Sequence, residues 1–304
     1  SLSTIIDTLT SLSAKHANLK PLIRHLNLVA HWQVRDQASW AGNVMVCKNY
    51  PAFPSDVCTM MAAAGATVQV GSKAGIAPSV SLESFLQSPA DPSTILVSLF
   101  VPFNEGKAFD TFKVMSRHAN AHAYVNGGML ATKAPSGTSL AKISMCFGGV
   151  RDGLVHTPRT CEALVGKPIS LETFMSVLPT FQEEVKILAA APGFDPDYYV
   201  AAPAYRQGVA ESLFFKFFLG LMAAKDRPVT YESASQHYLR PVSQASQHMD
   251  HSAPTQEAPL GLAVHKVEGL AQAAGETRYT ADLVSTEDVV PAAAECLGAV
   301  RTML

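Results

Sequence analysis

Apolar residues recur at helical spacing from the start of the chain. Ile5, Ile6, Leu9 and Leu12 predict a helix over Ser1–Leu12, with Ser3 able to cap it. Leu22, Ile23, Leu26 and Val29 predict a second over Pro21–Ala30. A polar turn through Arg35–Ser39 then leads to a small-residue loop, Ala41-Gly42-Asn43. Val57–Ala64 reads as a buried helix ended by Gly65, and Ala66–Val70 alternates like a strand. Ser81–Leu86 resembles a short helical turn. Thr94–Val101, Ala108–Ser116, Ala123–Lys133 and Ala141–Gly149 are strand candidates joined by short turns, and together predict an antiparallel meander. Helices follow at Ser170–Leu178, Phe181–Ala191 and Tyr205–Ala224. Asp226–Leu260, rich in Ser, Gln, His and Pro, reads as a linker. The Ala-rich Leu262–Leu304 is too short for an independent core.

Composition narrows the class. With 304 residues, 48% hydrophobic and 16% charged, the chain can bury a core and is not disordered as a whole. The length suggests two domains. A net charge of −2 argues against a nucleic-acid partner, which needs a basic face. Cys47, Cys58, Cys146, Cys161 and Cys296 form no CxxC, so no zinc knuckle or iron–sulfur ligand run is present. This odd, sparse set fits a reducing compartment: the cytoplasm, or an organelle if the N-terminus is processed. The longest apolar run, Leu213–Met222, is interrupted by Lys216 and does not approach a membrane span.

Four segments offer chemistry, each beside an ordinary structural account. Ser39-Trp40-Ala41-Gly42-Asn43-Val44 is a tight turn, or a place where a phosphate or flavin reaches backbone N–H groups. Pro54-Ser55-Asp56-Val57 caps a helix, or turns a helix N-terminus and its carboxylate toward a cofactor. Lys113 and Arg117 are solvated cations at a strand end, or stabilise negative charge on a reduced cofactor. His118 and His122 have a metal-compatible spacing but lack an intervening Glu and lie in a strand–loop, so no metal site is expected. His248, Asp250 and His251 fall in the linker, where exposure to solvent is the default. Phe214-Phe215-Lys216-Phe217-Phe218 suits core packing, with Lys216 reaching outward. No nucleophile–base arrangement and no GxGxxG after a strand is recognisable, so no catalytic residue is assigned.

Taken together, these segments resemble a known family. Gln33-Val34-Arg35 with Ala38-Ser39-Trp40-Ala41-Gly42-Asn43-Val44 resembles the "QIR…ASIGGN" segment of the FAD domain of the xanthine dehydrogenase/aldehyde oxidase family. Pro54-Ser55-Asp56 and the apolar run after it look like "ISDLNP" and its helix. Thr94–Pro102 resembles "EILLSIxIP", Phe109–Arg117 "F…FKxxSRR", and Tyr124–Leu130 the "GMRV" strand. Cys146-Phe147-Gly148-Gly149-Val150 is similar to "CYGGxA", and Leu213–Leu219 to "SFFFKFYL". Ala274–Asp282 resembles "ASGEAxYxDD", which opens the molybdenum-cofactor domain. The motifs are collinear over nearly the whole chain.

The resemblance implies an α+β fold. Residues 1–85 would be the second half of a PCMH-type FAD-binding α/β region. Residues 86–225 would form an antiparallel sheet with helices, like the CO dehydrogenase flavoprotein C-terminal domain. A linker over 226–261 and a short incomplete C-terminal segment, 262–304, would follow. The resemblance places Ser39, Gly42 and Asn43 against the FAD phosphates and ribityl chain, Asp56, Leu96 and Lys113 near the flavin, and Arg117 behind them. It implies only half of an FAD site. The first pyrophosphate loop and the iron–sulfur domains would lie upstream, and most of the molybdenum domain downstream. The molybdenum cofactor and 2Fe–2S clusters are then family cofactors that this chain does not bind. Two functions follow. The chain is an FAD module relaying electrons from the clusters to NAD or oxygen, inactive alone and packed against other domains or subunits of a parent enzyme. Alternatively it is a non-catalytic relative serving as a structural or interaction subunit of a larger assembly. Departures from the pattern motivate the second: Ala41 for the first Gly of the pair, Val29 for an aromatic, about four extra residues around Lys48–Pro51, and His118-Ala119-Asn120 for a charged stretch.

Overall fold

The computed structural model describes residues 1–73, 75–89, 91–118, 120–186, 202–237, 258–259, 262 and 264–279. The chain divides into two units, Ser1–Tyr238 and Leu239–Leu304. In the second unit the described element is a six-residue helix, Gly269–Ala274, ended by Gly275 at a φ of 73°. His248, Asp250, His251, Cys296, residues 280–282 and the end of the helix expected over Phe181–Ala191 lie outside the described residues.

The first unit opens with five helices: α1 (Leu2–Ser13), α2 (Lys20–Asn27), α3 (Trp32–Gln37), α4 (Trp40–Asn49) and α5 (Asp56–Ala63). Ser1, rather than Ser3, caps α1, its hydroxyl accepting from the Thr4 amide. Gly65 ends the α5 turn at a φ of 81°, as its sequence position suggests. A small sheet follows. Strand β1 (Thr67–Ser72) pairs with the two-residue strands β2 (Gly75–Ile76) and β3 (Val80–Ser81), and α6 (Leu82–Gln87) covers it. The fourth strand, β4 (Ile95–Phe100), pairs antiparallel with β1.

The second sheet is a meander. Strands β5 (Ala108–Met115), β6 (Ala123–Lys133), β7 (Leu140–Gly148) and β8 (Val155–His156) pair in chain order, all antiparallel. Helices α7 (Pro158–Leu164), α8 (Leu171–Glu184) and α9 (Pro203–Leu221) complete this half. Phe147, Phe181, Phe214 and Phe218 are fully buried between α8, α9 and the sheet, so the Phe-rich stretch is core. Glu184 is buried at the end of α8, where its carboxylate accepts from the Arg159 and Thr160 amides at 2.9 and 2.8 Å. It thereby caps the start of α7 from a distance in sequence.

Three expectations are corrected. Ala41-Gly42-Asn43 is helix rather than loop, because Ser39 caps it and Val44 and Cys47 recur on one buried face. Thr94–Val101 does not start the meander. Its strand closes the first sheet, with Leu96 and Leu99 packing on the first core while Ile95, Val97 and Phe100 stay exposed. The helices expected at Ser170–Leu178 and Phe181–Ala191 are continuous through Pro179. The carbonyl that proline leaves free belongs to Met175, which is 62% exposed, so water can satisfy it.

Helix α5 joins the halves of this unit. Seven of its eight residues are buried, and it packs on both β6 and β7. Gly128 of β6 permits this approach: a Cβ there would overlap Ala63 Cβ. Gly128→Ala is expected to destabilise the fold by about 1–3 kcal/mol through overpacking. A denaturant midpoint equal to that of the parent protein would refute this reading.

Candidate functional site

Two helix N-termini meet in the first half. Ser39 is the N-cap of α4, its Oγ accepting from the Gly42 amide at 2.9 Å. The Asn43 amide donates to Ser39 O, whereas the Trp40 and Ala41 amides have no acceptor among the described residues. Ser39 and Gly42 are exposed and Ala41 is half-buried. A ten-residue helix thus begins with two N–H groups that have no acceptor among the described residues and with the positive end of its dipole, beside exposed Ser39 and Gly42. Ala41 has ordinary helical backbone and is absent from the positive-φ positions, so alanine in place of glycine carries no strain. One residue further, Asn43 Oδ1 accepts from Ser55 Oγ at 2.5 Å, and Ser55 Oγ in turn accepts from the Cys58 amide as the N-cap of α5. This bridge fixes the start of α4 against the start of α5.

Behind the bridge lies a buried polar cluster. Asp56, the first residue of α5, accepts from Lys113 Nζ through Oδ2 at 2.8 Å. Its Oδ1 accepts from His25 Nε2 and Asn126 Nδ2, both at 3.1 Å. Lys113 also donates to Leu28 O at 3.0 Å, and Asn126 to Pro54 O at 3.1 Å. Thr59 Oγ1 lies 2.8 Å from Asn126 Oδ1 and 2.9 Å from Ser55 O. The side chains of Lys113 and His25 are 1% exposed and that of Asp56 10%. Four elements, α2, α5, β5 and β6, are therefore tied to one carboxylate.

Burial pushes the Asp56 carboxyl up, but the hydrogen bond and charge of His25 and the Lys113 ammonium outweigh it, so its pKa lies below the ordinary carboxylate value. Asp110 is also held low: burial raises it, while His237 and Arg24 outweigh that. A carboxyl depressed on folding stabilises the protein above its unfolded value and loses that contribution as pH falls through the folded one. Stability is therefore expected to stay level down to about pH 4 and to fall below it, near the reference carboxylate value. A native-state unfolding curve rising between pH 4 and 3 would contradict the sign.

The structure brings Asn43 and Asp56 together through Ser55, and Asp56 together with Lys113. Leu96 stays on β4, partly buried against the first core, and takes no part in the hydrogen-bonded cluster. Val29 packs on the same core. Arg117 is exposed and donates to Asn120 O. His122 packs edge-on against Phe53. Among the described residues, no three His, Cys, Asp or Glu side chains are grouped to hold a metal, and no helix is long and apolar enough to cross a membrane. Sequence reasoning missed His25, Thr59 and Asn126. A signal existed for two of them: His25 shares a helical face with Leu22 and Leu26, and Asn126 interrupts the apolar run Ala123–Ala131.

The family model for the FAD binding domain in molybdopterin dehydrogenase matches residues 2–104, and that for the CO dehydrogenase flavoprotein C-terminal domain matches residues 110–221. The chain is 28% identical over 317 residues to probable aldehyde oxidase 1 of Oryza sativa subsp. japonica, covering 95% of this chain and 22% of the relative. It is 26% identical over 287 residues to aldehyde oxidase 1 of Rattus norvegicus, covering 88% and 20%. The chain thus spans about one fifth of the length of these curated relatives. In fold it is similar to reconstituted CO dehydrogenase from Oligotropha carboxidovorans, with a TM-score of 0.56 and 15% identity over 75% of this chain and 72% of that one. Quinoline 2-oxidoreductase from Pseudomonas putida 86 gives a TM-score of 0.53 and 20% identity over 66% and 68%. Motifs, matched domains and relatives agree: the chain belongs to the xanthine dehydrogenase/aldehyde oxidase family of molybdo-flavoenzymes, of which it represents the flavoprotein portion.

Proposed function

We propose that this chain is the FAD module of a xanthine dehydrogenase/aldehyde oxidase-like oxidoreductase, passing electrons from iron–sulfur clusters through FAD to NAD or oxygen, and that these 304 residues are inactive alone. The observation that carries this reading is the exposed start of α4, whose free Trp40 and Ala41 amides suit a pyrophosphate. FAD supplies the step between one-electron carriers and a two-electron acceptor. The chain's own residues bind and orient. Trp40 and Ala41 donate backbone hydrogen bonds, Ser39 and Gly42 keep the approach clear, and Asn43 with Ser55 fixes the helix start.

Asp56 and Lys113 act from behind. Each is largely spent on the other and on neighbouring groups inside the protein, so their role is to hold α5 and β5 in place beneath the cofactor. The other domains or subunits of a parent enzyme are the partners this reading calls for.

Adding FAD to the purified chain tests it. Flavin fluorescence is expected to change saturably. Bound flavin reduced with dithionite should be reoxidised by NAD or oxygen, while xanthine and aldehydes should reduce none of it. Substrate-driven reduction by this chain alone, or absence of flavin binding, would overturn the reading.

A further inference from the structure

A cavity opens at the far end of α5. The helix runs eight residues, about 12 Å, from Asp56 to Ala63, and then stops. The sheet face beneath it continues. In register, Gly128 lies opposite Cys146, Leu130 opposite Ser144 and Thr132 opposite Lys142. Opposed residues of an antiparallel pair share a face, so these three rows form one surface. Helix α5 covers the first row, where Gly128 lets it approach. The next two rows are left open and become one wall of a cavity of about 330 Å³.

The lining has a consistent chemistry. Lys107 and Lys142 are its charged groups, and no acidic side chain lines it. Lys107 is pre-positioned: its Nζ donates to Asn104 Oδ1 at 3.1 Å, and buried Asn104 is anchored by donating to Ala64 O at 2.8 Å. Lys142 is exposed and has no hydrogen-bond or ion-pair partner among the described residues, and neither do the half-buried Thr132 and Ser144 hydroxyls. Beside these donors Leu130 of the same sheet face, Pro102 and Ala62 add apolar lining. Two ammonium groups and two hydroxyls beside an apolar wall match a dianionic oxyanion carrying a small organic group.

We propose that this cavity binds a small organic phosphate, a phosphomonoester whose oxygens meet Lys107, Lys142, Thr132 and Ser144 and whose organic part rests on Pro102 and Leu130. The site is at the opposite end of α5 from Asp56 and is independent of the flavin reading.

Phenyl phosphate, inorganic phosphate and phenol are the probes, titrated into the full chain by calorimetry. Phenyl phosphate is expected to bind more tightly than inorganic phosphate, and phenol not at all. Lys142→Glu should weaken phenyl phosphate by about tenfold or more. Because Lys142 is exposed and has no partner among the described residues, this variant should keep the parent thermal midpoint and FAD affinity. Equal binding to parent and Lys142→Glu, no binding of phenyl phosphate, or its displacement by FAD in competition would each overturn the proposal, the last by placing the anion at α4.

Discussion

Asp56→Asn is expected to cost about 3–5 kcal/mol, because it leaves the Lys113 ammonium buried without its counter-charge. The carboxylate is the common acceptor for Lys113, His25 and Asn126, so one substitution loosens contacts among α2, α5, β5 and β6 together. A loss of that size should lower the thermal midpoint by about 6–20 °C for a unit of this length. The cost comes from an unpaired charge rather than from a lost attraction, which gives the prediction a second arm. Lys113→Met in the Asp56→Asn background should restore a substantial part of the loss, since removing both charges of a buried pair is far cheaper than removing one. Additive losses in the double variant would show that the ion pair is not the source. Acid should act in the same direction on the parent protein, and the Asp56→Asn variant should show a shallower decline below about pH 4.

Ala41→Asp is expected to weaken FAD binding about ten- to hundredfold, equivalent to about 1.4–2.8 kcal/mol. A carboxylate in the second position of α4 faces the same free amides that suit a pyrophosphate and repels its negative charge. For the helix itself the change is favourable by a few tenths of a kcal/mol, because acidic residues suit the first turn. Loss of binding with an unchanged or raised thermal midpoint therefore separates a binding defect from a folding defect. Ala41→Gly serves as a control. Since Ala41 already has helical backbone, restoring glycine should leave affinity within about twofold while lowering stability by about 1 kcal/mol.

Much of the fold was legible because it is local. Apolar spacing in α1 and α2, the glycine after α5 and the short turns that bound β5 to β7 are written in consecutive residues. The meander was readable because its strands are joined in order by short turns. Reading failed where partners are distant. Strand β4 looks like a neighbour of β5 in sequence, yet its partner β1 precedes it, and a strand's own pattern does not say which sheet it joins. The stretch at 41–43 looked like a loop because small residues favour turns, but a capping serine and a buried helical face outweighed that preference.

The site shows the same division. Ser39, Gly42, Asn43, Asp56 and Lys113 lie in a small-residue turn, a helix start and a strand end that local pattern marks only as candidates; the family motifs alone give them a flavin role. Asp56 meets His25, Lys113 and Asn126 across 31, 57 and 70 residues, so the cluster exists only once the chain is folded. The resemblance also cast Lys113 as a cation near the flavin. Its side chain is 1% exposed and already bonded to Asp56 and Leu28 O, which favours a structural role in holding β5 against α2 and α5.

The most direct measurement is the amide NMR response of α4 to FAD. If the start of this helix holds the pyrophosphate, the Trp40 and Ala41 amide signals should shift most on FAD addition and become protected from exchange, and both changes should vanish in Ala41→Asp. Saturable FAD binding that leaves the Trp40 and Ala41 amides unmoved would contradict the account.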